Sequence, residues 1–170
     1  MILALDTATP VGSVALYADE GQVINRYFNV GLQHSQRLFV EIEAALSVAN
    51  VGMEALQAIA VSIGPGSFTG LRIALSAAKG LCLAADKVLV TVSTLETLAA
   101  RLPFACLPVC AVLDARKRQV YTALYDTTEG VPVERIGPRA IVPSQLAEER
   151  AGQPTIFTGD GAEVYRDLLG

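Results

Sequence analysis

The sequence predicts an α/β protein with two lobes, each containing a mixed sheet and helices. An uncharged run rich in β-branched residues at 58–63 stops at glycine and proline and continues as a helical pattern, which indicates a buried strand leading directly into a helix. Residues 2–30 have the alternation and turn residues of three antiparallel strands. Leu113-Asp114-Ala115, followed by a strand, resembles Leu5-Asp6-Thr7 near the start of the chain. A duplicated α/β fold accounts for these three observations.

In the first lobe, an antiparallel meander is followed by alternating helices and strands. The predicted elements are strands at 2–7, 12–18 and 22–30, a helix from about 32 to 50, a strand at 58–63, a helix at 67–85, a strand at 87–92 and a helix at 95–101. Asn50 and Gly52 supply a stop for the first helix, and Ser67 and Ser93 are natural N-caps for the next two. Leu102-Pro103-Phe104 then breaks the helical pattern. We therefore expect a first lobe of residues 1–102 and a second lobe of residues 103–170.

The second lobe is predicted to repeat the order of the first. The predicted elements are strands at 108–114, 119–126 and 131–142, a helix capped at Ser144, a strand at 155–158 and a helix running from Gly159-Asp160-Gly161 to Gly170. The turn after Asp114 carries Arg116-Lys117-Arg118, the strongest local basic cluster of the sequence. Such a cluster is most often a solvated turn and occasionally an anion or RNA contact.

Composition restricts the function. Of the 170 residues, 52% are hydrophobic and only 18% are charged, which suggests surface reserved for a partner. The net charge is -4, whereas a protein that binds nucleic acid by itself is expected to have an excess of basic residues. Three cysteines without a C-x-x-C pair suit a reducing cytoplasm, and the N-terminus lacks the basic region of a signal peptide. We expect no membrane span, because Arg72 and Lys79 interrupt the most apolar helix.

The helix at 67–85 is apolar in nearly every direction, which indicates that its far side is covered by a second layer of the chain or by a partner. Phe39 also lies outside the main apolar stripe of the preceding helix. We expect these two helices to form a partner-binding surface. The residues assigned to this surface are His34, Leu38, Phe39, Ile42, Leu71, Arg72, Leu75, Ala78, Lys79 and Cys82.

Several residues suggest a phosphate or nucleotide site. The glycine-rich turn before Ser67 could expose helix amides to an anion, but its spacing matches neither the Walker nor the Rossmann pattern, which favours a simple tight connection. Asp6 and Thr7 could orient metal-bound water and phosphate, although an Asx-type turn is the favoured interpretation. The weak nucleotide-site candidates are Asp6, Thr7, Gly66 and Asp114. We predict no catalytic residue and no metal ligand.

Sequence strings along the whole chain resemble the bacterial TsaB (YeaZ) family. They are Ile2-Leu3-Ala4-Leu5-Asp6-Thr7, His34-Ser35-Gln36, Gly64-Pro65-Gly66-Ser67-Phe68-Thr69-Gly70-Leu71-Arg72, Ser93-Thr94-Leu95-Glu96, Asp114-Ala115-Arg116 with Val120-Tyr121, and Gly159-Asp160-Gly161. The resemblance implies an actin-like, Hsp70-like sugar-kinase (ASKHA) fold. It also implies a role in making threonylcarbamoyladenosine beside the anticodon of tRNAs that read codons beginning with A.

The resemblance further implies the partners. In this pathway TsaD, a paralogue, transfers the threonylcarbamoyl group, TsaB binds TsaD as a non-catalytic platform, and TsaE joins as an ATPase. Members also form homodimers through the helical face that TsaD uses. The chain is thus expected to bind no cofactor alone, to contact tRNA only indirectly, and to meet ATP or ADP with Mg²⁺ only in the assembled complex.

Two features of the residues agree with a non-catalytic subunit. TsaD-like paralogues carry a His-x-x-x-His metal motif, whereas His34 is the only histidine here and is best interpreted as part of a helix start beside the cap Ser35. Asp114 is followed by Ala115-Arg116-Lys117 where an actin-like nucleotide site has a glycine-rich turn. The alternative is an actin-like enzyme, an ATPase or kinase, that acts alone through Asp6, Gly66 and Asp114.

A glycoprotease function, an older label for the wider family, lacks support, because His34 has no recognisable link to a nucleophile and Ser67 is better used as a cap. One departure from the family is that the sequence ends at 165–170 within a predicted helix, whereas members usually continue with further second-lobe structure. We expect the second lobe to be truncated or abbreviated.

Overall fold

The computed structural model describes residues 1–19, 21–29 and 34–170, with the backbone alone for Gln22 and for the first three residues of the helix that starts at His34. The chain divides into two compact units, Met1–Val92 and Ser93–Gly170. Each unit contains one sheet that mixes parallel and antiparallel strands, with helices beside it. The predicted α/β class with two lobes is confirmed.

The first unit consists of a five-stranded sheet and two long helices. Its elements are β1 (Ile2–Asp6), β2 (Val11–Ala18), β3 (Gly21–Asn29), α1 (His34–Ala49), a 3-10 turn (Met53–Ala55), β4 (Ala58–Ser62), α2 (Phe68–Ala85) and β5 (Val88–Val92). The strand order is β3-β2-β1-β4-β5, with the first three strands antiparallel and β4 and β5 parallel to β1. The predicted meander and the direct passage from strand to helix are both confirmed.

The second unit repeats this order on a smaller scale. Its elements are α3 (Thr94–Ala100), β6 (Val109–Arg116), β7 (Gln119–Asp126), β8 (Val133–Ile141), α4 (Pro143–Arg150), β9 (Ile156–Thr158), α5 (Asp160–Val164) and α6 (Arg166–Leu169). The strand order β8-β7-β6-β9 has the same relative directions as β3-β2-β1-β4. The predicted duplication is therefore present in the topology.

The boundary between the units lies between Val92 and Ser93, earlier than the expected boundary at residues 102 and 103. Leu95 and Ala99 of α3 are fully buried and pack with Val109 and Ala111 of β6. Leu102-Pro103-Phe104 interrupts the helix, as predicted, but it does not interrupt the packing. A break in a helical pattern marks the end of an element and need not mark the edge of a core.

Two helix ends in the second unit differ from the prediction. The N-cap of α4 is Val142, and Pro143 occupies the first turn, where its fixed φ and missing N–H are tolerated. Ser144, the predicted cap, is therefore inside the helix. The predicted terminal helix is interrupted at Tyr165, so that α5 and α6 are separate short helices.

The core of the first unit lies between one face of its sheet and the two long helices. Leu3 and Leu5 of β1 share that face with their register partners on β2 and β4, and all of these residues are almost completely buried. Leu38, Ile42 and Ala45 of α1 and the alanines of α2 complete the cluster. The small side chains of α2 allow this helix to lie close to the sheet.

Within the described part of the chain, α2 is the helix that is long and apolar enough to cross a bilayer by length and composition. This finding differs from the sequence argument, which took Arg72 and Lys79 to exclude such a segment. A helix that packs in a protein core passes the same test, and α2 buries Gly70, Ala74 and Ala78 within its unit. The composition of α2 is therefore explained in part by packing on the sheet.

Candidate functional site

An open groove of about 480 Å³ runs between α1 and α2 on the first unit. Phe39 of α1 lines it, together with Thr69, Arg72, Ile73, Ser76 and Ala77 of α2. The groove combines an aromatic ring and aliphatic carbon with two hydroxyl groups and a guanidinium. Phe39 is 49% exposed, which is high for a phenylalanine and leaves about half of its side chain accessible.

The structure corrects part of the predicted partner surface. Leu38 and Ala78 are completely buried, and Ile42 and Cys82 are at most 9% exposed, so these four residues pack in the core of the unit. The reason is that the most regular apolar stripe of a helix faces its own sheet. A partner could reach these residues only if the core opened.

The remaining residues of the predicted surface are accessible or lie outside the described side chains. Phe39, Arg72 and Lys79 are exposed, whereas Leu71 and Leu75 are half-buried. Helix α1 begins at His34, so the predicted cap Ser35 lies inside the helix. The predicted helix start at 32–33 and the His34 side chain lie outside the described residues. Only part of the predicted surface is therefore available for contact.

The outer sides of α1 and α2 carry large apolar side chains that the sheet does not cover. Val40 and Val48 of α1 are 54% and 71% exposed, and Phe68 and Leu83 of α2 are 74% and 88% exposed. The prediction that α2 has an apolar surface beyond its core-facing side is confirmed. The guanidinium carbon of Arg72 lies 5.4 Å from the centre of the Phe68 ring, a cation–π arrangement that holds both side chains near the groove.

Sequence reasoning missed Thr69, Ile73 and Ser76 as groove residues. Together with Arg72 they follow the i, i+3, i+4, i+7 spacing of one helical stripe. Three of these four residues are polar, and the search for apolar surface therefore passed over them. Hydroxyl groups beside an arginine and an exposed aromatic ring were the available signal.

At the end of β1, the weak nucleotide-site candidates Asp6 and Thr7 form hydrogen bonds within the protein. The Oδ1 atom of Asp6 accepts a hydrogen bond from the Ala8 N–H at 2.7 Å, which is the Asx-type turn favoured from the sequence. Burial raises the pKa of the Asp6 carboxyl, while hydrogen bonds from the Ala8 amide and the Ser62 hydroxyl act in the opposite direction. Asp6 therefore shapes the β1–β2 connection.

Thr7 and Ala8 close the start of α2. The Thr7 hydroxyl is completely buried and donates to the Gly70 carbonyl at 2.7 Å. The Ser67 N–H donates to the Ala8 carbonyl at 2.7 Å, and the Gly70 N–H donates to the Ser67 hydroxyl at 3.2 Å. An anion at a helix start binds to the free backbone amides of the first turn. Two amides here, those of Ser67 and Gly70, already have protein partners.

Gly66 serves this packing. A Cβ atom at Gly66 would lie 2.5 Å from the Ala8 carbonyl oxygen, closer than any real side chain tolerates. A Cβ atom at Gly70 would overlap the Thr7 carbonyl oxygen. The glycines are required because the β1–β2 turn lies against the helix start, which supports the interpretation of the glycine-rich segment as a tight connection.

Asp114 has an equivalent position in the second unit. Its Oδ1 atom accepts a hydrogen bond from the Arg116 N–H at 3.0 Å, and its own N–H donates to Asp160 Oδ1 at 3.1 Å. A Cβ atom at Gly161 would lie 2.9 Å from the carbonyl carbon of Leu113, so α5 starts against the end of β6 as α2 starts against the β1–β2 turn. Within the described residues, no cluster of three histidine, cysteine or acidic side chains could hold a metal ion.

Comparison with known proteins agrees with this architecture. The family model described as "TsaD: tRNA N6-adenosine threonylcarbamoyltransferase" matches residues 29–168. The tRNA threonylcarbamoyladenosine biosynthesis protein TsaB of Escherichia coli (strain K12) is 34% identical over 98% of this chain and 74% of its own length. The TsaB protein of Bacillus subtilis (strain 168) is 28% identical over 99% of this chain and 74% of its own length.

Solved structures show the same fold. YeaZ from Pseudomonas aeruginosa superposes with a TM-score of 0.88 at 32% identity, covering 99% of this chain and 79% of that chain. The ethanolamine utilization protein EutJ from Carboxydothermus hydrogenoformans has a TM-score of 0.52 at 14% identity, covering 99% of this chain and 81% of that chain, which is a likeness of fold alone.

Two duplicated mixed sheets with these neighbours define an actin-like (ASKHA) α/β protein. Within that class, the chain belongs to the TsaB (YeaZ) family, whose curated members are named for tRNA threonylcarbamoyladenosine biosynthesis.

Proposed function

We propose that this protein is a non-catalytic scaffold subunit that binds TsaD for threonylcarbamoyl modification of the adenosine beside the anticodon in tRNAs reading codons that begin with A. Family membership supports the pathway. The observation that carries the scaffold role is the groove between α1 and α2 with its exposed apolar flanks. TsaE joins the larger complex in this proposal.

The groove has the composition of a protein-binding surface. Aromatic residues and arginine are enriched in protein interfaces, and Phe39 and Arg72 are both exposed at the groove. Phe68 extends the apolar surface at one end of α2, where its ring lies beside the Arg72 guanidinium. A partner that covers this flank would remove large apolar side chains from water, which favours association.

The non-catalytic role is supported by what the candidate nucleotide residues already do. The Asp6 carboxylate accepts from Ala8, the Thr7 hydroxyl is bonded to Gly70, and Gly66 is packed against the Ala8 carbonyl. The Thr7 hydroxyl could donate to a phosphate only by giving up its buried hydrogen bond to Gly70, and a phosphate near Gly66 would compete with the packed Ala8 carbonyl. In the proposal, ATP or ADP with Mg²⁺ belongs to the assembled complex.

The net charge of -4 supports a subunit whose partner provides most of the contacts with tRNA. The three cysteines are free thiols, which supports a reducing cytoplasm as the compartment.

The scaffold role is tested by measuring TsaD capture by the Ser76→Arg variant. Ser76 is exposed and lines the groove, so a long cation there should block a docked partner while leaving the core intact. Co-purification with TsaD is expected to fall at least tenfold, whereas the free energy of unfolding should change by no more than about 0.5 kcal/mol, as for most surface substitutions. Affinity capture of TsaD and urea denaturation measure the two effects.

Val23→Arg is the matched control. Val23 is 48% exposed on β3, outside both helices and the groove, so this variant adds the same charge to the same unit. It is expected to capture TsaD as the unaltered protein does. Normal TsaD capture by the Ser76→Arg variant would contradict the proposed docking surface, and equal loss in both variants would show an effect of charge alone.

A further inference from the structure

The β6–β7 hairpin ends in three consecutive basic residues with a left-handed backbone. Arg116 pairs with Gln119 across the hairpin, which leaves Lys117 and Arg118 as a two-residue turn. The φ angles of Arg116, Lys117 and Arg118 are 62°, 50° and 60°. Positive φ at both central residues is what a type I′ hairpin turn requires.

The residues at this turn are not the ones that its backbone prefers. A type I′ turn strongly favours Asn-Gly or Asp-Gly, because asparagine and glycine adopt positive φ with least strain. Lysine and arginine carry a Cβ atom that is crowded in this conformation, and a third residue of the same kind precedes them. Local strain that persists in a structure is most often associated with function, here with the side chains that the turn displays.

The turn is held firmly at its base. The Asp114 carboxylate accepts from the Arg116 N–H, and the Asp160 carboxylate accepts from the Asp114 N–H. Val120, the first residue of β7 after Gln119, is completely buried. The basic side chains are therefore displayed from a fixed position, which reduces the entropy lost when they bind a ligand.

The three charges are accessible and weakly neutralised. The Arg116 side chain is 83% exposed and its guanidinium lies 3.5 Å from the Asp114 carboxylate. Lys117 and Arg118 are exposed, and neither forms an ion pair with another described residue. This concentration of positive charge is unusual in a chain whose net charge is -4.

The resemblance implies only an indirect contact with tRNA. We propose instead that the basic turn at residues 116–118 binds the phosphodiester backbone of tRNA directly, as an accessory contact beside the main binding surface of the partner. The choice of tRNA rests on the proposed function. Arginine and lysine donate charge-assisted hydrogen bonds to phosphate oxygens, and such contacts hold an RNA in place without reading its sequence. The turn consists only of polar residues from Arg116 to Gln119, which favours phosphates over the apolar centre of a protein interface.

The test measures tRNA binding by two double variants. K117Q/R118Q removes two charges, and K117N/R118G removes them while installing the residues that the turn prefers. An unmodified transcript of a tRNA that reads an A-starting codon is titrated with the TsaD complex and, at low salt, with the isolated chain, and binding is followed by fluorescence anisotropy. Both variants should bind several-fold more weakly, with a salt dependence of log K reduced by about 1 to 2. K117N/R118G should also melt at a higher temperature than the unaltered protein.

The control is R101Q/R166Q, which removes two exposed charges from the same unit at positions outside the β6–β7 hairpin. The control should bind tRNA as the unaltered protein does. Unchanged tRNA binding by both turn variants overturns the proposal, as does an equal loss in the control. Loss of TsaD capture with unchanged tRNA binding would show instead that the turn contacts an acidic protein surface. If the unaltered chain fails to capture TsaD, the scaffold proposal fails, and the titration of the isolated chain still decides the role of the turn.

Discussion

Asp6 shows how one carboxyl can serve a turn rather than a ligand. Its burial opposes ionisation, while the Ala8 amide and the Ser62 hydroxyl favour it. The sequence predicted the Asx-type turn correctly, because Asp followed by Thr at the end of a strand has a well-known local geometry. It did not predict that Thr7 reaches Gly70, sixty-three residues further along the chain. Contacts over such separations depend on the tertiary fold.

The raised pKa of Asp6 predicts a pH-dependent effect of Asp6→Asn. Because burial lifts the folded pKa above its unfolded value near 3.8, the folded state binds the proton more tightly, and stability from this group is lost as pH rises through the folded pKa. Asparagine cannot ionise, yet its Oδ1 atom can still accept from Ala8. We therefore expect Asp6→Asn to increase the free energy of unfolding at pH 7, with a smaller difference below pH 3.8.

Urea denaturation of both proteins at pH 7 and at pH 3.5 measures this difference. A variant that is less stable at pH 7 would show that the hydrogen bonds to the carboxylate outweigh the cost of its burial.

Residue-scale prediction failed for part of the partner surface. Leu38 and Ala78 were assigned to the partner-binding surface because they are apolar and lie on helices that are apolar on more than one side. Both are completely buried in their own unit. An apolar pattern tells which residues avoid water and does not tell which neighbour covers them. Charging Ala78 would therefore disrupt the core, and only exposed groove residues are suitable for testing a docking surface.

At the scale of an element, α1 is fixed to the sheet by a charge as well as by its apolar stripe. Glu41 is 2% exposed and accepts from Arg26 of β3 at 2.6 Å and from Arg37, one turn earlier on α1, at 2.7 Å. The sequence analysis assigned no role to Glu41, since a search for apolar periodicity ignores a buried acid. The Arg37–Glu41 spacing was visible, but the contribution of Arg26 depends on the packing of β3 against α1.

Glu41→Ala is expected to destabilise the protein by about 1–3 kcal/mol. The variant leaves two arginines without their carboxylate, although their side chains are 36% and 56% exposed and water can solvate them, which keeps the cost moderate. Chemical denaturation provides the measurement. Glu43→Ala, an exposed acid two residues away on α1, is the control and should change stability by less than about 0.5 kcal/mol. Similar costs for both variants would contradict a structural role for Glu41.

At the scale of the whole molecule, the duplicated topology was predictable and the boundary between the units was not. The matching ends of β1 and β6, at Asp6 and Asp114, revealed the repeat because the sheet of each unit begins, in chain order, with the same antiparallel hairpin. The boundary was misplaced because α3 packs with the strands that follow it. Short-range signals identify elements, whereas the assignment of an element to a core depends on contacts between distant residues.

The groove also predicts the oligomeric state of the isolated chain. If the α1/α2 flank is a docking surface, a second copy should occupy it when TsaD is absent. Light scattering should then give about twice the chain mass of 17.9 kDa at high concentration, and Phe39→Glu should give a monomer. Val23→Arg serves again as the control and should remain dimeric. A monomer at every concentration for the unaltered protein would contradict self-association.

The β1–β2 and β6–β7 connections occupy the same place in two topologically equal units, yet they differ in how much variation in length they permit. The first is wedged against α2 through Thr7, Ala8 and Gly66, so an inserted residue would dislodge a helix start. The second projects its last residues into solvent, where insertions and deletions disturb little packing. An insertion in the first connection is therefore expected to destabilise the fold, whereas one in the second would chiefly alter how its basic side chains are presented.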